Sequence, residues 1–419
     1  MHHFSYRNGY LHAEGVDLTA LAQDVGTPVY VYSDATLRRH ICVFFDAFDG
    51  LDPLVAYSVK ANSNLSVLRV LASEGAGADV VSGGELRRAL AAGIEARNIV
   101  FSGVGKTSEE LAFALDAGIY QFNVESEPEL NLISQIAVEK GMNAPIAMRI
   151  NPDVAAGGNE KISTGKREDK FGVPWTQARS IYAKAAGLPG IKVVGVDVHI
   201  GSQIADLAPF EAAFTRVRDL ISELRADGHT IDRLDLGGGL GIPYGDGTSP
   251  PLPAEYGAMI KKITAPLNLR LVFEPGRMIV GNAGILLARV VYVKKAENRR
   301  FLILDSGMND LIRPALYDAH HAIWPIREPD SQTTHAYDVV GPVCETGDRF
   351  ALARNLPEIS QGDLVAFLSA GAYGAVQASQ YNTRPLVPEV LVRGSEYAVI
   401  RHRPSFDEMI ALEHKADWL

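Results

Sequence analysis

Between Leu54 and Arg277 short apolar runs alternate with segments whose Ala, Leu and Glu spacing is helical in most of the gaps. The runs are Leu54 to Val59, Ala78 to Val81, Ile99 to Ser102, Tyr120 to Val124, Ile146 to Ile150, Val193 to His199, Leu234 to Leu236 and Leu269 to Phe273. Such alternation predicts a parallel sheet, and eight units predict a closed (β/α)8 TIM-type barrel. After Gly284 the pattern changes to β-branched alternation, as in Ala288 to Val293, Phe301 to Asp305 and Asp363 to Phe367, which predicts a mainly β second domain of antiparallel-type strands. Val29-Tyr30-Val31-Tyr32 also reads as a strand and is expected to pair with that domain. The expected division is therefore a barrel over 34–280 and a β domain built from 1–33 and 281–419. The polar, glycine-containing segment from Ala155 to Lys170 reads as a mobile loop.

Nearly every run ends in polar or glycine-rich residues, and in a parallel barrel these ends gather on the catalytic face. Lys60 closes the first run; burial of a lysine favours its uncharged amine, which can attack a carbonyl. Gly237-Gly238-Gly239-Leu240-Gly241 follows the seventh run, where glycine lets backbone amides approach an anion and where barrels often hold a phosphate. It does not fit the dinucleotide-binding fingerprint, because the surrounding strands do not form that unit. The eighth run ends in Glu274-Pro275-Gly276-Arg277, and the sixth in His199 followed by Gly201-Ser202-Gln203. An amine, a ring able to stack, a phosphate cradle and a carboxylate able to pair with a pyridinium nitrogen together describe pyridoxal 5'-phosphate (PLP). The histidines and acids show no usual metal-ligand spacing, so no metal is expected.

Composition narrows the class. The 419 residues are 47% hydrophobic and 21% charged, enough apolar material for full cores. A formal charge of -10 with no basic run argues against nucleic-acid or anionic-membrane binding. Met1 to Arg7 lacks the charged start and apolar core of a signal peptide, no stretch approaches about 18 apolar residues, and Cys42 and Cys344 form no thiol framework. A cytoplasmic protein is expected.

The ordered motifs Tyr57-Ser58-Val59-Lys60-Ala61-Asn62, His199-Ile200-Gly201-Ser202-Gln203, the glycine turn and Glu274-Pro275-Gly276-Arg277 resemble those of fold-type III PLP decarboxylases. Arg313-Pro314-Ala315-Leu316-Tyr317, Gly341-Pro342-Val343-Cys344-Glu345-Thr346-Gly347-Asp348 and Gly371-Ala372-Tyr373-Gly374 are similar to motifs of the diaminopimelate decarboxylases, which make L-lysine from meso-diaminopimelate. Thr164-Gly165-Lys166 with Lys170-Phe171-Gly172 resembles that family's flexible active-site loop, and Thr346 stands where the family pattern has serine. The resemblance implies that Lys60 is the cofactor's covalent attachment point, that His199 stacks on its ring and that Glu274 holds the ring nitrogen protonated. It implies Ser202, Gly238, Gly239, Gly276, Arg277 and Tyr373 around the phosphate. Arg277, Arg313 and Tyr317 are the implied clamp on the distal carboxylate, Glu345 the receiver of the distal ammonium, and Cys344 the proton donor to the α-carbon. A homodimer is implied as well, with Cys344, Glu345 and sometimes Tyr373 supplied by the partner subunit. Two alternatives stay open: an ornithine or arginine decarboxylase on the same fold, and a non-catalytic PLP-binding protein.

Overall fold

The structure, a computed structural model, describes residues 2–155 and 170–419. Thr164-Gly165-Lys166 and most of the loop expected to be mobile lie outside the described residues. Two compact units divide the chain, one of residues 38–243 and 248–279, the other of residues 1–37, 244–247 and 280–419.

The first unit is a closed barrel of parallel strands: β1 (Leu54–Ser58), β2 (Gly77–Val80), β3 (Ile99–Phe101), β4 (Gln121–Val124), β5 (Ala144–Asn151), β6 (Ile191–Asp197), β7 (Arg233–Asp235) and β8 (Arg270–Phe273). Each strand pairs with the next, and β8 returns to β1 through Val272 opposite Leu54 and Phe273 opposite Val55. Closure leaves no edge within this ring, and β1 to β4 are buried along their whole length because side chains fill the barrel interior while helices cover the outside. Leu54, Ala56, Val100 and Val272 form one apolar cluster, packed on by Tyr120. The interior also buries Asp79, Gln121, Asn123, Arg149, Asp197 and Asp235.

Several polar strand endings serve the helices that follow. Asn64 accepts the Ser66 amide, Ser82 the Glu85 amide and Ser126 the Glu129 amide, satisfying N–H groups that a first helical turn leaves without partners. Lys60 lies just past its strand, in the tight turn Val59–Ala61.

In the second unit the strand Val29–Ser33 joins the carboxyl-terminal sheet, antiparallel to Gly284–Lys295 and parallel to Glu389–Arg393. The sheet is mixed rather than wholly antiparallel, since Arg300–Leu304 also runs parallel to Thr334–Val340. Parallel neighbours need long connections, and both pairs are separated by long stretches of chain. Leu11, Leu18, Val31, Ile285, Leu287, Val390 and Val392 lie in its core. Among the described residues no helix is long and apolar enough to cross a membrane.

Candidate active site

The carboxyl ends of β1 to β8 bring eight of the sequence-selected residues onto the barrel unit. Lys60 donates from Nζ to Asp79 Oδ2 at 2.6 Å, with its side chain 35% exposed and that of Asp79 fully buried. The same oxygen accepts the Ser58 hydroxyl at 2.7 Å, whereas Asp79 Oδ1 has no hydrogen-bond partner. Asp79 follows Ala78 on β2 and points inward at the residue where the strand should read apolar; that break in the run was the available signal for it.

His199 stands two residues beyond β6, half-buried. The Gly238 amide donates to its Nδ1 at 3.1 Å, so the ring proton belongs on Nε2. Burial first, then the positive charges of Arg149 and Lys60, push its pKa well below the usual histidine value, and the ring is neutral near pH 7. Arg149 pairs with Glu125 at 2.8 Å and donates to the His199 carbonyl at 3.3 Å.

The glycine turn after β7 is required by close approach. A Cβ at Gly238 would lie 2.3 Å from the Glu274 carbonyl oxygen, and one at Gly239, whose φ is +110°, 2.5 Å from that of Gly201. Gly239 O accepts the Ile204 amide, tying this turn to the segment carrying Ser202. Ser202 Oγ accepts from Arg277 Nη2 at 3.0 Å, and Gly276 packs its backbone against Ser58 and Ala61.

Glu274, at the end of β8, is buried among other acids. Its Oε1 accepts the Ser102 hydroxyl at 2.9 Å and the Asn123 amide at 3.1 Å. Carboxylate oxygens of Asp197, Asp235 and Glu274 lie within 4.8 Å of one another. Burial raises the pKa of all three, and mutual repulsion raises them further. Asn123, Asp197 and Asp235 escaped the sequence reading, although polar residues at alternate positions such as Gln121 and Asn123 mark an inward strand face.

In the β unit, Arg313 opens the short helix Arg313–Tyr317 and is 6% exposed. Its Nη1 lies 2.9 Å from His321 Nε2, and its guanidinium sits 4.7 Å from the centre of the Tyr244 ring. His321 Nδ1 donates to the Leu368 carbonyl at 2.8 Å, which leaves Nε2 as the acceptor for Arg313. Tyr317 OH receives Gln377 Nε2 at 3.4 Å. Cys344 and Glu345 are exposed on a loop that Asp348 organises by accepting the Met308 and Val343 amides. The Cys344 amide donates to Asn382. Tyr373 is half-buried with a left-handed backbone at φ +56°.

Residues 35–281 match the family model described as "Pyridoxal-dependent decarboxylase, pyridoxal binding domain", which sets the class of the barrel. Full-length relatives narrow that class. A diaminopimelate decarboxylase of Zymomonas mobilis subsp. mobilis is 50% identical, with 99% of each chain covered. Diaminopimelate decarboxylase from Helicobacter pylori, solved with L-lysine, superposes with a TM-score of 0.91 at 41% identity, covering 94% of this chain and 99% of that one. The M. jannaschii enzyme with L-lysine gives 0.95 at 36% identity, covering 99% and 98%. The chain belongs to the diaminopimelate decarboxylase family.

Proposed function

We propose that this protein removes one carboxyl group of meso-2,6-diaminopimelate as carbon dioxide and releases L-lysine, using PLP held at the barrel mouth. The observation that carries the reading is the grouping of Lys60 with Asp79, neutral His199, the glycine turn and Glu274 on strand ends of one barrel. The donor set fits the cofactor: the Lys60 side chain is 35% exposed, the glycine turn lacks side chains beside Ser202 and Arg277, and a buried carboxylate can meet a ring nitrogen.

When bound, PLP supplies an electron sink for the carbanion left by carbon dioxide. Lys60 is its attachment point, and Asp79 holds the Lys60 amine in place before attachment. Glu274 would meet the ring nitrogen and favour its protonated state. His199, being uncharged, would stack on the ring without opposing that positive charge. The Gly239 and Gly276 amides, in and beside the turn that Gly238 makes possible, would hold the phosphate with Ser202, Arg277 and Tyr373. Arg277, Arg313 and Tyr317 bind the distal carboxylate, for which a forked guanidinium is suited, and Glu345 receives the distal ammonium. Cys344 gives a proton to the α-carbon. Homodimers complete each site with Cys344 and Glu345 from the partner chain, and the protein works in the cytoplasm.

The test is carbon dioxide release from meso-diaminopimelate by the PLP-loaded protein, with ornithine, arginine and lysine as controls. Turnover of diaminopimelate alone is expected. Preference for ornithine or arginine, or no turnover with PLP bound, would overturn the reading.

A further inference from the structure

Glu274 is held by more than its place on the strand. The Gln121 amide donates to Asn123 Oδ1 at 2.8 Å, which turns the Asn123 NH2 group toward the acids. That group lies 3.0 Å from Asp235 Oδ2, 3.0 Å from Ser102 Oγ and 3.1 Å from Glu274 Oε1. It has two hydrogens, so one goes to Asp235 and the other is shared between Ser102 and Glu274. The single Ser102 hydroxyl hydrogen points to Glu274 Oε1 at 2.9 Å. Two donors therefore converge on Oε1, and a proton placed there would collide with both.

The neighbouring acids differ in their supply of donors. Asp235 receives the Gly237 amide on Oδ1 and the Asn123 and Gln121 amides on Oδ2. Asp197, 2% exposed, has no hydrogen-bond partner on Oδ1. Three crowded buried carboxyl groups cannot all ionise, and the one with the fewest donors takes the proton. The unpartnered Oδ1 of Asp197 is open to that proton, whereas Glu274 Oε1 already accepts two donors.

We infer that Ser102 and Asn123 are positioning residues for Glu274: they fix its Oε1 as an acceptor, keep the group ionised and leave Oε2 to the protonated ring nitrogen of the cofactor. The inference rests on the proposed function, because it needs Glu274 to face that nitrogen. Both residues are buried.

The experiment uses the full chain loaded with PLP carrying 15N at the ring nitrogen. Wild type, Ser102→Ala, Asn123→Ser and Glu274→Gln are compared by the 15N shift, by steady-state kinetics and by melting. In Ser102→Ala the resonance should move toward that of Glu274→Gln, with kcat down about tenfold, equivalent to about 1.4 kcal/mol, and KM within about twofold. Asn123→Ser should move it further. A folded Ser102→Ala with the wild-type resonance and kcat overturns the inference, and this small change decides the matter even if Asn123→Ser does not fold. A Glu274→Gln protein whose resonance matches wild type instead overturns the assignment of Glu274 itself. A purely structural role would lower the melting temperature and leave the nitrogen shift unmoved.

Discussion

Arg313→Ala offers the sharpest measure of substrate choice. At 6% exposure the guanidinium would meet a substrate carboxylate largely out of water, so the relevant scale is that of a desolvated charge pair and not of a surface ion pair worth at most about 1 kcal/mol. Truncating one member of a buried charged pair costs about 2–5 kcal/mol. At about 1.4 kcal/mol per tenfold, kcat/KM for diaminopimelate should fall roughly 30- to 4,000-fold. The side chain also stacks on Tyr244 and donates to His321, so the fold should lose about 1–3 kcal/mol as well. Arg313→Lys separates the two effects, since it keeps the charge and loses the planar fork. Carbon dioxide release is followed beside the visible absorbance of bound cofactor and a thermal melt. Unchanged catalytic efficiency in a folded, cofactor-replete Arg313→Ala protein would remove Arg313 from the clamp.

Lys60→Ala should leave no covalently fixed cofactor after borohydride reduction; peptide mass analysis checks this, and an adduct on another lysine would refute the assignment. Gly238→Ala puts a methyl group 2.3 Å from the Glu274 carbonyl, so the turn must shift and PLP affinity by equilibrium dialysis should drop at least about tenfold. Mixing Lys60→Ala with Cys344→Ala chains should restore at most about half of the wild-type activity per heterodimer, because one site then carries both defects and the other neither; verified heterodimers without activity would show that each site is built within one chain. Glu85 is pushed up to about 7, chiefly by burial. Its folded pKa exceeds the unfolded value, so the native state holds the extra proton and stability falls as pH rises from about 4.5 to about 7. Glu85→Gln should therefore raise the melting temperature at pH 8 and leave it nearly unchanged at pH 4.

The barrel was legible because strands buried on both faces read as apolar runs; every predicted run lies within two residues of an observed strand at either end. The site residues in glycine or proline motifs were legible for a related reason, since they interrupt those runs at their ends. Asp79, Asn123 and Asp235 were not, because single polar residues inside a strand resemble noise until their partners across the barrel are known. Not every polar strand ending belongs to the candidate site: Ser82 and Ser126 spend their polarity on helix caps. The parallel pairs of the β unit were missed because local alternation carries strand character but not strand direction.

The return of β8 to β1 joins Leu54 with Val272 and Val55 with Phe273, from opposite ends of the barrel sequence, and Glu274 stands one residue past that seam. Ser58, whose hydroxyl reaches the Glu274 carbonyl, stands at the other side of it. A nascent or partly unfolded chain that has made its first seven strands still lacks this seam, and no half-built barrel offers Lys60 and Glu274 together. Cofactor capture that uses both residues would therefore await the completed ring. If binding favours only the closed form, raising the cofactor concentration should raise the folded fraction and slow proteolysis.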